Sequence, residues 1–309
     1  MSGNQDNHVL KLGVVSGKGG VGKSTITAAL INLMHADGKK IVGVDCDVDA
    51  PNLALLFTVD KNEMDTKTVR TTEKAYWIEE RCTHCKECID EKFCLFNALK
   101  WNAEKKIPVL DVIACEGCGA CSVLCNHDAF GIRPIDSGTM YSTVTGDDFP
   151  LIYGETIIGA STSGKMVSET KEFALHYLEG ADHVVIDGPP GIGCPVLATL
   201  TGLDFVIVVM EPFPTSFHDA SRVIEVINGF NIPFGIVINR CDAWDDGYKD
   251  IKKFIKENNY TYLGDIPIDM KVPESVTRML SIIKHAPDSP ASIALKKIHE
   301  NLEKVLNRA

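Results

Sequence analysis

Short apolar runs separated by amphipathic stretches occupy both ends of the chain, and this pattern predicts its regular elements. Runs rich in Val, Ile and Leu are typical of strands buried on both faces, whereas apolar positions recurring every three to four residues indicate helices. The predicted strands cover 9–16, 41–45, 156–160, 184–187 and 204–212, and the predicted helices cover 23–36 and 217–229. Strands that alternate with helices in this way predict an α/β fold with a mostly parallel sheet.

The alternation is lost between residues 59 and 150, where a polar, unpatterned stretch leads into a segment crowded with cysteine. We therefore predict that 1–58 and 151–309 form the two parts of one α/β domain. The segment 59–150, with its linkers, is then a second, smaller domain inserted between them.

A glycine-rich loop joins the first predicted strand to the first helix. Gly17, Gly22, Lys23 and Ser24 meet the pattern G-x-x-x-x-G-K-[ST] in that setting, which is typical of a phosphate-binding loop. The glycines let successive N–H groups point at phosphate oxygens, and the helix adds the positive end of its dipole. Lys23 is expected to meet the β- and γ-phosphates, and the Ser24 hydroxyl to bind Mg²⁺. The alternative is a glycine turn that merely joins strand to helix.

The sequence KGGVGKST, residues 18–25, resembles the deviant Walker A motif of the MinD/ParA-type ATPases, which include the nitrogenase iron protein and the Mrp-type iron–sulfur carriers. The resemblance implies a P-loop NTPase that binds and hydrolyses ATP. It also implies a homodimer with ATP sandwiched at its interface, in which the second lysine, Lys18, reaches across to the other protomer's nucleotide. The loop residues implied to bind nucleotide are Gly17, Lys18, Gly19, Gly20, Val21, Gly22, Lys23, Ser24 and Thr25.

Acidic residues follow two of the buried strands, at the edge where open parallel sheets bind ligands. Asp45, Asp47 and Asp49 alternate after the second strand, and Asp187 is followed at once by GPPG. By resemblance to the family's switch I, Asp47 is expected to orient the attacking water and Asp45 to support the Mg²⁺ shell. Asp187 resembles the Walker B aspartate, which holds Mg²⁺ through water at the start of switch II. The alternative for the alternating aspartates is a run of solvated loop carboxylates.

Two later segments resemble the base-binding parts of MinD-type ATPases. Asn239, with Arg240 beside it, follows an apolar strand at the position that reads the adenine edge in that family. Pro267 lies in the loop that closes over the base. The resemblance adds these three residues to the predicted nucleotide site.

The inserted segment contains eight of the chain's eleven cysteines, and these cysteines form an internal repeat. The triplet Cys82, Cys85 and Cys88 recurs 33 residues later as Cys115, Cys118 and Cys121, and each triplet is followed by one more cysteine, Cys94 or Cys125. C-x₂-C-x₂-C with a distant fourth cysteine is the spacing of bacterial two-cluster ferredoxins, in which the fourth thiolate binds the cluster of the other half. The alternative is a pair of Cys₄ zinc sites.

The ferredoxin resemblance implies an α+β fold for the inserted segment and two [4Fe–4S] clusters. The ligands it implies are Cys82, Cys85, Cys88 and Cys125 for one cluster and Cys115, Cys118, Cys121 and Cys94 for the other. The first repeat departs from the pattern because five residues, rather than three, separate Cys88 from Cys94. Leu95 and Asn126 also stand where that family usually has proline.

Three cysteines lie outside the insert. Cys194 follows Asp187 at the offset of a cluster ligand in the nitrogenase iron protein, so it is either a redox or metal contact near a dimer axis or a small buried residue. One such thiol per protomer supplies only two of the four ligands of a cubane. Cys46 and Cys241 are predicted to be small core residues.

Composition limits the possible partners and location. With 42 acidic and 31 basic residues the net charge is −11, and no basic run occurs, which argues against nucleic acid as a main partner. The first eight residues lack the features of a signal peptide, so a cytoplasmic location is expected, with reduced thiols. The amphipathic C-terminal stretch, with Ile293, Ile298, Leu302, Val305 and Leu306 near one face, is predicted to pack on the sheet rather than bind a membrane.

These features together resemble MinD-superfamily ATPases that contain an inserted ferredoxin domain. Our leading hypothesis is an ATPase that gates electron transfer from its clusters to an unidentified partner protein. The alternative is an ATPase that assembles or carries iron–sulfur clusters or metal centres, although no C-x-x-C pair of the Mrp type follows Cys241. A positioning ATPase on a membrane or chromosome is disfavoured by the acidic charge.

Overall fold

The computed structural model describes residues 8–59, 64–158 and 163–307. The strands are β1 (Leu10–Ser16), β2 (Ile41–Asp45), β3 (Asp65–Val69), β4 (Thr72–Trp77), β5 (Leu99–Asn102), β6 (Ile107–Leu110), β7 (Phe130–Ile135), β8 (Gly138–Val144), β9 (Pro150–Thr156), β10 (His183–Pro190), β11 (Phe205–Met210), β12 (Phe234–Asn239) and β13 (Thr261–Ile266). The helices are α1 (Lys23–Ala36), α2 (Glu87–Asp90), α3 (Ala120–Leu124), α4 (Ser163–Ala174), α5 (Cys194–Leu200), α6 (Pro214–Gly229), α7 (Asp245–Glu257), α8 (Lys271–Thr277), α9 (Ile282–His285) and α10 (Pro290–Leu306).

A nine-stranded sheet in the order β13-β12-β11-β1-β10-β2-β9-β8-β3 forms the centre of the molecule. From β13 to β9 every neighbouring pair is parallel. Helices cover both faces, with α1, α9 and α10 packed over one core and α4, α5, α6 and α7 over the other. Strands such as β11 are therefore buried along their whole length, because both sets of side chains face helices. The predicted α/β fold with a mostly parallel sheet is confirmed.

The edge formed by β9, β8 and β3 differs from the prediction. β8 pairs antiparallel with β9 and β3. The strand predicted at 156–160 is wrong: β9 ends at Thr156, and residues 159 and 160 lie outside the described part of the chain. β3 escaped detection because it is a polar edge strand, largely exposed to solvent, and carries no apolar alternation.

The segment that leaves the large sheet is narrower than the predicted 59–150. Because β3, β8 and β9 belong to that sheet, the segment begins after Val69 and ends before Gly138. We call residues 70–137 the insert. Its first and last strands, β4 and β7, pair antiparallel with each other, as do β5 and β6, and these two ladders enclose a separate small core.

The internal repeat seen in the cysteines extends to the backbone of the insert. His84 and Lys86 have left-handed φ angles of 59° and 69°, and Gly117 and Gly119, 33 positions later, have 66° and 76°. After the fourth cysteines the offset is 31, with β5 corresponding to β7. The two extra residues therefore lie between Cys88 and Cys94. The turn after Cys94 is equivalent to the turn after Cys125.

The C-terminal helix α10 packs on α1 and β13, as predicted. Leu295, Ile298 and Leu302 are buried against the sheet, whereas Ile293 is exposed and does not belong to the packed face as predicted. Within the described residues, no helix combines the length and apolar character needed to cross a membrane.

We expect Phe149→Ala to destabilise the protein strongly. Its ring is only 1% exposed and packs edge-on against Phe57, with centroids 5.1 Å apart, so truncation leaves a cavity between α1 and the sheet. The expected loss is about 3–5 kcal/mol in the free energy of unfolding, measured by denaturant titration. Phe230→Ala, at a ring 42% exposed at the end of α6, is the matched control and should cost less than about 1 kcal/mol. Equal losses in both variants would contradict this account of the core.

Candidate functional site

The loop between β1 and α1 has the backbone that phosphate binding requires. Gly20 and Gly22 adopt left-handed φ angles of 78° and 96°, which side chains with a Cβ rarely tolerate. A Cβ on Gly17 would lie 2.1 Å from the carbonyl carbon of Asp219, so this glycine permits the close approach of α6. The N-terminus of α1, beginning at the nearly buried Lys23, therefore faces the loop with its unpaired N–H groups.

A cleft of about 1020 Å³ opens above this loop at the carboxyl ends of the parallel strands. The sequence-predicted residues along its walls are Gly19, Gly20, Gly22, Lys23, Ser24, Thr25, Asp47, Asn239, Arg240 and Pro267. The predicted residues that do not line it are Gly17, Lys18, Val21, Asp45 and Asp187. The structure thus brings residues from four separate segments to one place.

Part of the cleft wall was missed by sequence reasoning. These residues come from α8 and its approach and from α10: Met270, Val272, Pro273, Val276, Thr277, Ala291 and Leu295. They give one side of the cleft an apolar character suited to a flat aromatic group such as a nucleobase. The available signal was the apolar spacing in the short helix after Pro267.

Asp187 lies directly beneath the loop and is fully buried. Its Oδ1 accepts a hydrogen bond of 3.0 Å from Thr27, a contact not predicted from the sequence, while its Oδ2 has no hydrogen-bond partner. Burial raises the pKa of Asp187 to about 6, and this rise is opposed by Ser24 and Lys23. A buried carboxylate oxygen without a partner is unfavourable, so the residues fit a hydrated Mg²⁺ at this point.

Asp45 is arranged differently from the prediction that it supports the Mg²⁺ shell. Its Oδ1 accepts a hydrogen bond from the Asp47 amide at 2.9 Å, and its Oδ2 accepts bonds from the amides of Asn52 and Leu53, both at 2.9 Å. Burial and the neighbouring Asp187 raise its pKa well above the usual range. With both oxygens bound to backbone amides, Asp45 holds the shape of the loop 46–53, which we call the switch loop, and does not line the cleft.

The other two aspartates of the switch loop differ in exposure. Asp47 is half-buried and lines the cleft; burial raises its pKa, and Lys23 opposes the rise. Asp49 is exposed, and its carboxylate accepts hydrogen bonds from Thr156 at 2.8 Å and Ser163 at 3.1 Å. Both side chains line the cleft, but only Asp49 also ties the switch loop to the end of β9 and the start of α4.

We expect Asp45→Ala to loosen the switch loop. Loss of the carboxylate leaves the amides of Asp47, Asn52 and Leu53 without their acceptors, so their hydrogen exchange should be at least about tenfold faster, equivalent to ~1.4 kcal/mol of local stability. Mass spectrometry of peptides covering the switch loop measures the change. Asp49→Ala removes a carboxylate that accepts only from side chains and should leave these amides protected. Unchanged exchange in Asp45→Ala would contradict the assigned role.

Two of the three predicted base-binding residues, Asn239 and Arg240, lie at the end of β12, and the third, Pro267, follows the neighbouring strand β13. The Asn239 amide donates a 2.8 Å hydrogen bond to the Val21 carbonyl of the phosphate loop, and its Oδ1 accepts one from the Arg240 amide at 3.0 Å. One Nδ2 hydrogen thus stays available at the cleft. The Arg240 guanidinium forms an ion pair with the largely buried Glu211, which sets its direction.

Lys18 lies outside the cleft of its own chain. Its side chain is exposed, and no hydrogen bond or ion pair of its ammonium is found among the described residues; only its carbonyl is bound, by the Ser16 hydroxyl at 2.6 Å. The geometry leaves this cation free to meet a group outside the protomer.

The eight cysteines of the insert line two cavities, grouped in the crossed arrangement that the ferredoxin resemblance implies. The first cysteine cavity is lined by Cys82, Cys85, Cys88 and Cys125, together with Trp101, Pro108 and Phe130. The second cysteine cavity is lined by Cys94, Cys115, Cys118 and Cys121, together with Ala75, Ala98 and Leu99. Cys94 takes part despite the longer gap that precedes it. Phe93 lines both cavities and lies between them.

The chemistry of these cavities fits a thiolate-bound cluster. The Cys88 thiol is buried among Cys85, Cys82 and Cys125, and burial followed by these neighbours raises its pKa to about 11. Four thiols per cavity, among apolar walls, form the complete donor set of a [4Fe–4S] cluster. In the described parts of the chain, no group of three or more His, Cys, Asp or Glu side chains is close enough to hold a single metal ion.

The remaining cysteines divide between core and surface. Cys46 is fully buried, as predicted. Cys241 is half-buried and packs beside the core. Cys194 is exposed at the start of α5, so the prediction of a small buried residue is wrong for it. Cys194 lies beyond the end of β10, at a point where the chain has left the buried core.

Comparison with known proteins identifies the family. The chain is 36% identical over 300 residues to the uncharacterized protein MJ0578 of Methanocaldococcus jannaschii, covering 96% of this chain and 98% of that protein. It is 24% identical over 306 residues to the iron-sulfur cluster carrier protein of Pyrococcus horikoshii, covering 94% and 85%. In fold it resembles the septum site-determining protein MinD of Pyrococcus horikoshii complexed with Mg-ADP, with a TM-score of 0.58, 19% identity, and coverage of 97% and 98%. The model of the CobQ/CobB/MinD/ParA nucleotide binding domain matches residues 12–282, and the chain therefore belongs to this family of P-loop proteins.

Proposed function

We propose that this protein binds and hydrolyses ATP and uses the nucleotide state to gate electron transfer from two [4Fe–4S] clusters to a partner protein. In the nucleotide cleft, Lys23 binds the β- and γ-phosphates, and Ser24 and Asp187 hold Mg²⁺, the latter through water. Asp47 orients the attacking water. Asn239, Pro267 and the apolar wall from α8 hold the base. The family membership and the shared cleft support these assignments.

The active form that we propose is a homodimer. Lys18 is exposed, and its ammonium has no partner among the described residues. An exposed lysine of the phosphate loop that does not line its own cleft is suited to neutralise the phosphates of a second protomer. ATP would then stabilise the closed dimer, because it is bound by both chains at once.

The cysteine cavities are the proposed cluster sites. Cys82, Cys85, Cys88 and Cys125 would hold one cluster, and Cys94, Cys115, Cys118 and Cys121 the other. When bound, each cluster supplies reversible one-electron chemistry. The chain's own contribution is to hold two such sites on either side of Phe93, within one small core.

The observation that carries the gating proposal is a chain of hydrogen bonds from the switch loop to the insert. The Val48 carbonyl accepts from the Thr156 amide at 2.9 Å, and the next amide, Ile157, donates to the Ser137 carbonyl at 2.8 Å. The Ser137 hydroxyl then accepts from the amides of Thr71 and Thr72 at 3.0 and 2.8 Å, where the chain leaves the large sheet after β3 and enters β4. A rearrangement of the switch loop on loss of the γ-phosphate would therefore act on the point where the insert is attached.

The test measures electron transfer from anaerobically reduced protein to a c-type cytochrome, used as a one-electron acceptor, with and without Mg-ATP. We expect the nucleotide to change the rate at least threefold. Ser137→Ala should reduce this difference while leaving ATP hydrolysis intact, and Ser168→Ala, whose hydroxyl bonds only within its own helix, should not. If neither the rate nor the cluster potential responds to nucleotide, the gating proposal is wrong.

A second candidate is a cluster carrier, in which a cluster is cargo rather than a resident group. The observation that favours it is the likeness to several archaeal proteins named iron-sulfur cluster carrier protein. Incubation with an apo-acceptor protein separates the two proposals. Transfer of iron to the acceptor in an ATP-dependent manner supports the carrier, whereas full retention of iron supports fixed redox sites.

A further inference from the structure

We propose that the two cysteine cavities hold an added electron unequally, with the second cavity, that of Cys94, Cys115, Cys118 and Cys121, at the higher reduction potential. This inference deepens the proposed function and rests on it, because it assumes a cluster in each cavity. It comes from a difference between two sites that are otherwise related by the internal repeat.

The repeat allows residue-by-residue comparison of the two cavities. A Cβ on Gly117 would lie 2.1 Å from the Glu73 carbonyl oxygen, so the loop of the second cavity lies against β4. In the matching place His84 Nδ1 lies 2.9 Å from the Lys106 carbonyl oxygen, so the loop of the first cavity lies against the start of β6. His84 and Gly117 are 33 positions apart, as are Glu73 and Lys106, so the two contacts are equivalent in the repeat. Lys74 therefore corresponds to Ile107, and Ala75 corresponds to Pro108.

Lys74 places a buried positive charge beside the second cavity only. Its side chain is 2% exposed, and its ammonium donates to the carbonyl of Cys115. Within the described ranges, no carboxylate lies within ion-pair distance of it. A buried ammonium without a carboxylate needs another anion nearby, and a thiolate-bound cluster supplies one. Its field favours the more negative, reduced form of that cluster.

Backbone N–H groups reinforce the difference. The Ala75 amide donates to the Cys115 sulfur at 3.4 Å, and the Ala98 amide donates to the Cys94 sulfur at 3.3 Å. Hydrogen bonds to cluster-binding sulfurs raise the reduction potential. At the position of Ala75, the first cavity has Pro108, which has no amide hydrogen to donate. The first cavity therefore lacks the backbone hydrogen bond to a cysteine sulfur that Ala75 provides in the second.

One positive side chain lines the first cavity and acts in the opposite sense. Lys86 is exposed, however, and its ammonium is paired with Asp90 at 3.2 Å. A surface charge that is both solvated and paired has a much weaker field than a buried one. Each cavity also has one glutamate in its lining, Glu87 in the first and Glu116 in the second, so these two charges do not distinguish the sites. The buried Lys74 and the amide hydrogen bonds thus favour the second cavity.

The expected consequence is a direction for internal electron movement. One-electron transfer from the first site to the second oxidises the first and reduces the second; it breaks no bond and requires no other reactant. We expect at least a tenfold preference for the second site, which for a single electron corresponds to about 59 mV.

The experiment is an anaerobic redox titration of the full-length protein, followed by electron paramagnetic resonance and accompanied by iron and sulfide counting. The wild type should show two midpoints. Lys74→Met, which keeps the volume but removes the charge, should lower only the upper midpoint. Pro108→Ala, which supplies the missing amide hydrogen, should raise only the lower one. Lys105→Met removes an exposed lysine of the same insert and should move neither.

Each result decides the proposal. Two midpoints that approach each other in both variants support it. Coincident midpoints in the wild type, or shifts in the opposite sense, overturn it while leaving the proposed cluster sites intact. A protein that contains zinc, or no cluster signal at all, overturns the proposed function as well. Because Pro108→Ala acts on the other cavity, it tests the proposal even if Lys74→Met fails to fold.

Discussion

Lys23→Ala is expected to lower ATP hydrolysis by about 10²–10³-fold, because it removes the cation that we propose binds the β- and γ-phosphates in the cleft. Lys23 is nearly buried at the first turn of α1, where the phosphate loop and the helix dipole converge. Its ammonium forms no ion pair with another side chain among the described residues. The substitution should therefore weaken nucleotide binding and hydrolysis rather than the stability of the fold. Phosphate release and the binding of a fluorescent ATP analogue measure the two effects.

The matched variant is Lys18→Ala, five positions earlier in the same loop. Lys18 is exposed and does not line the cleft of its own chain, so this variant should still bind nucleotide as a monomer. It should fail to form the ATP-dependent dimer on size-exclusion chromatography and should hydrolyse ATP slowly. If both lysines affect nucleotide binding equally, the proposed division between a lysine acting within its own protomer and one acting across the dimer is wrong.

Cys94→Ser is expected to remove one of the two clusters and to lower the iron content from about eight to about four atoms per chain. Cys94 is the proposed ligand whose sequence spacing departs from the ferredoxin pattern, and it lines the second cavity together with the triplet that begins at Cys115. A serine oxygen is a poorer iron ligand than a thiolate. Iron and sulfide counting on anaerobically purified protein measures the loss.

Two variants control for this effect. Cys125→Ser should also lose about half of the iron, but from the first cavity, so the surviving resonance should differ from that of Cys94→Ser. Cys194→Ser removes an exposed thiol outside the insert and should retain all of the iron. Full retention of iron by Cys94→Ser would show that the two extra residues before it displace it from the site.

The elements that the sequence predicted well are those whose physical cause is local. The strand at β1, the glycine loop and helix α1 follow one another within thirty residues, and each carries its own signal in apolar spacing or glycine placement. The insert was recognised for a similar reason, because triplets of cysteine with equal spacing have few structural uses. The roles given to these residues stay predictions until the variants above are measured.

The elements that were misplaced depend on partners distant in sequence. β3 is polar, and β9 follows a stretch without clear periodicity. β3 is held by its ladder of hydrogen bonds with β8, and β9 by ladders with β8 and β2. The position of Asp45 at the end of β2 led us to predict a metal ligand. Its actual partners are three amides of the loop that follows, a contact that depends on how that loop turns back.

The sequence by itself determined that this chain contains a phosphate-binding loop on a parallel α/β sheet and a doubled cysteine motif, because glycine, lysine and thiol spacing act over a few residues. Only the tertiary structure decided where the insert is attached, how the switch loop is hydrogen-bonded to that point, and which cysteine cavity has a buried lysine beside it. These properties arise from side chains and amides that are tens of residues apart, and their proximity is set by the packing of the sheet rather than by any local pattern.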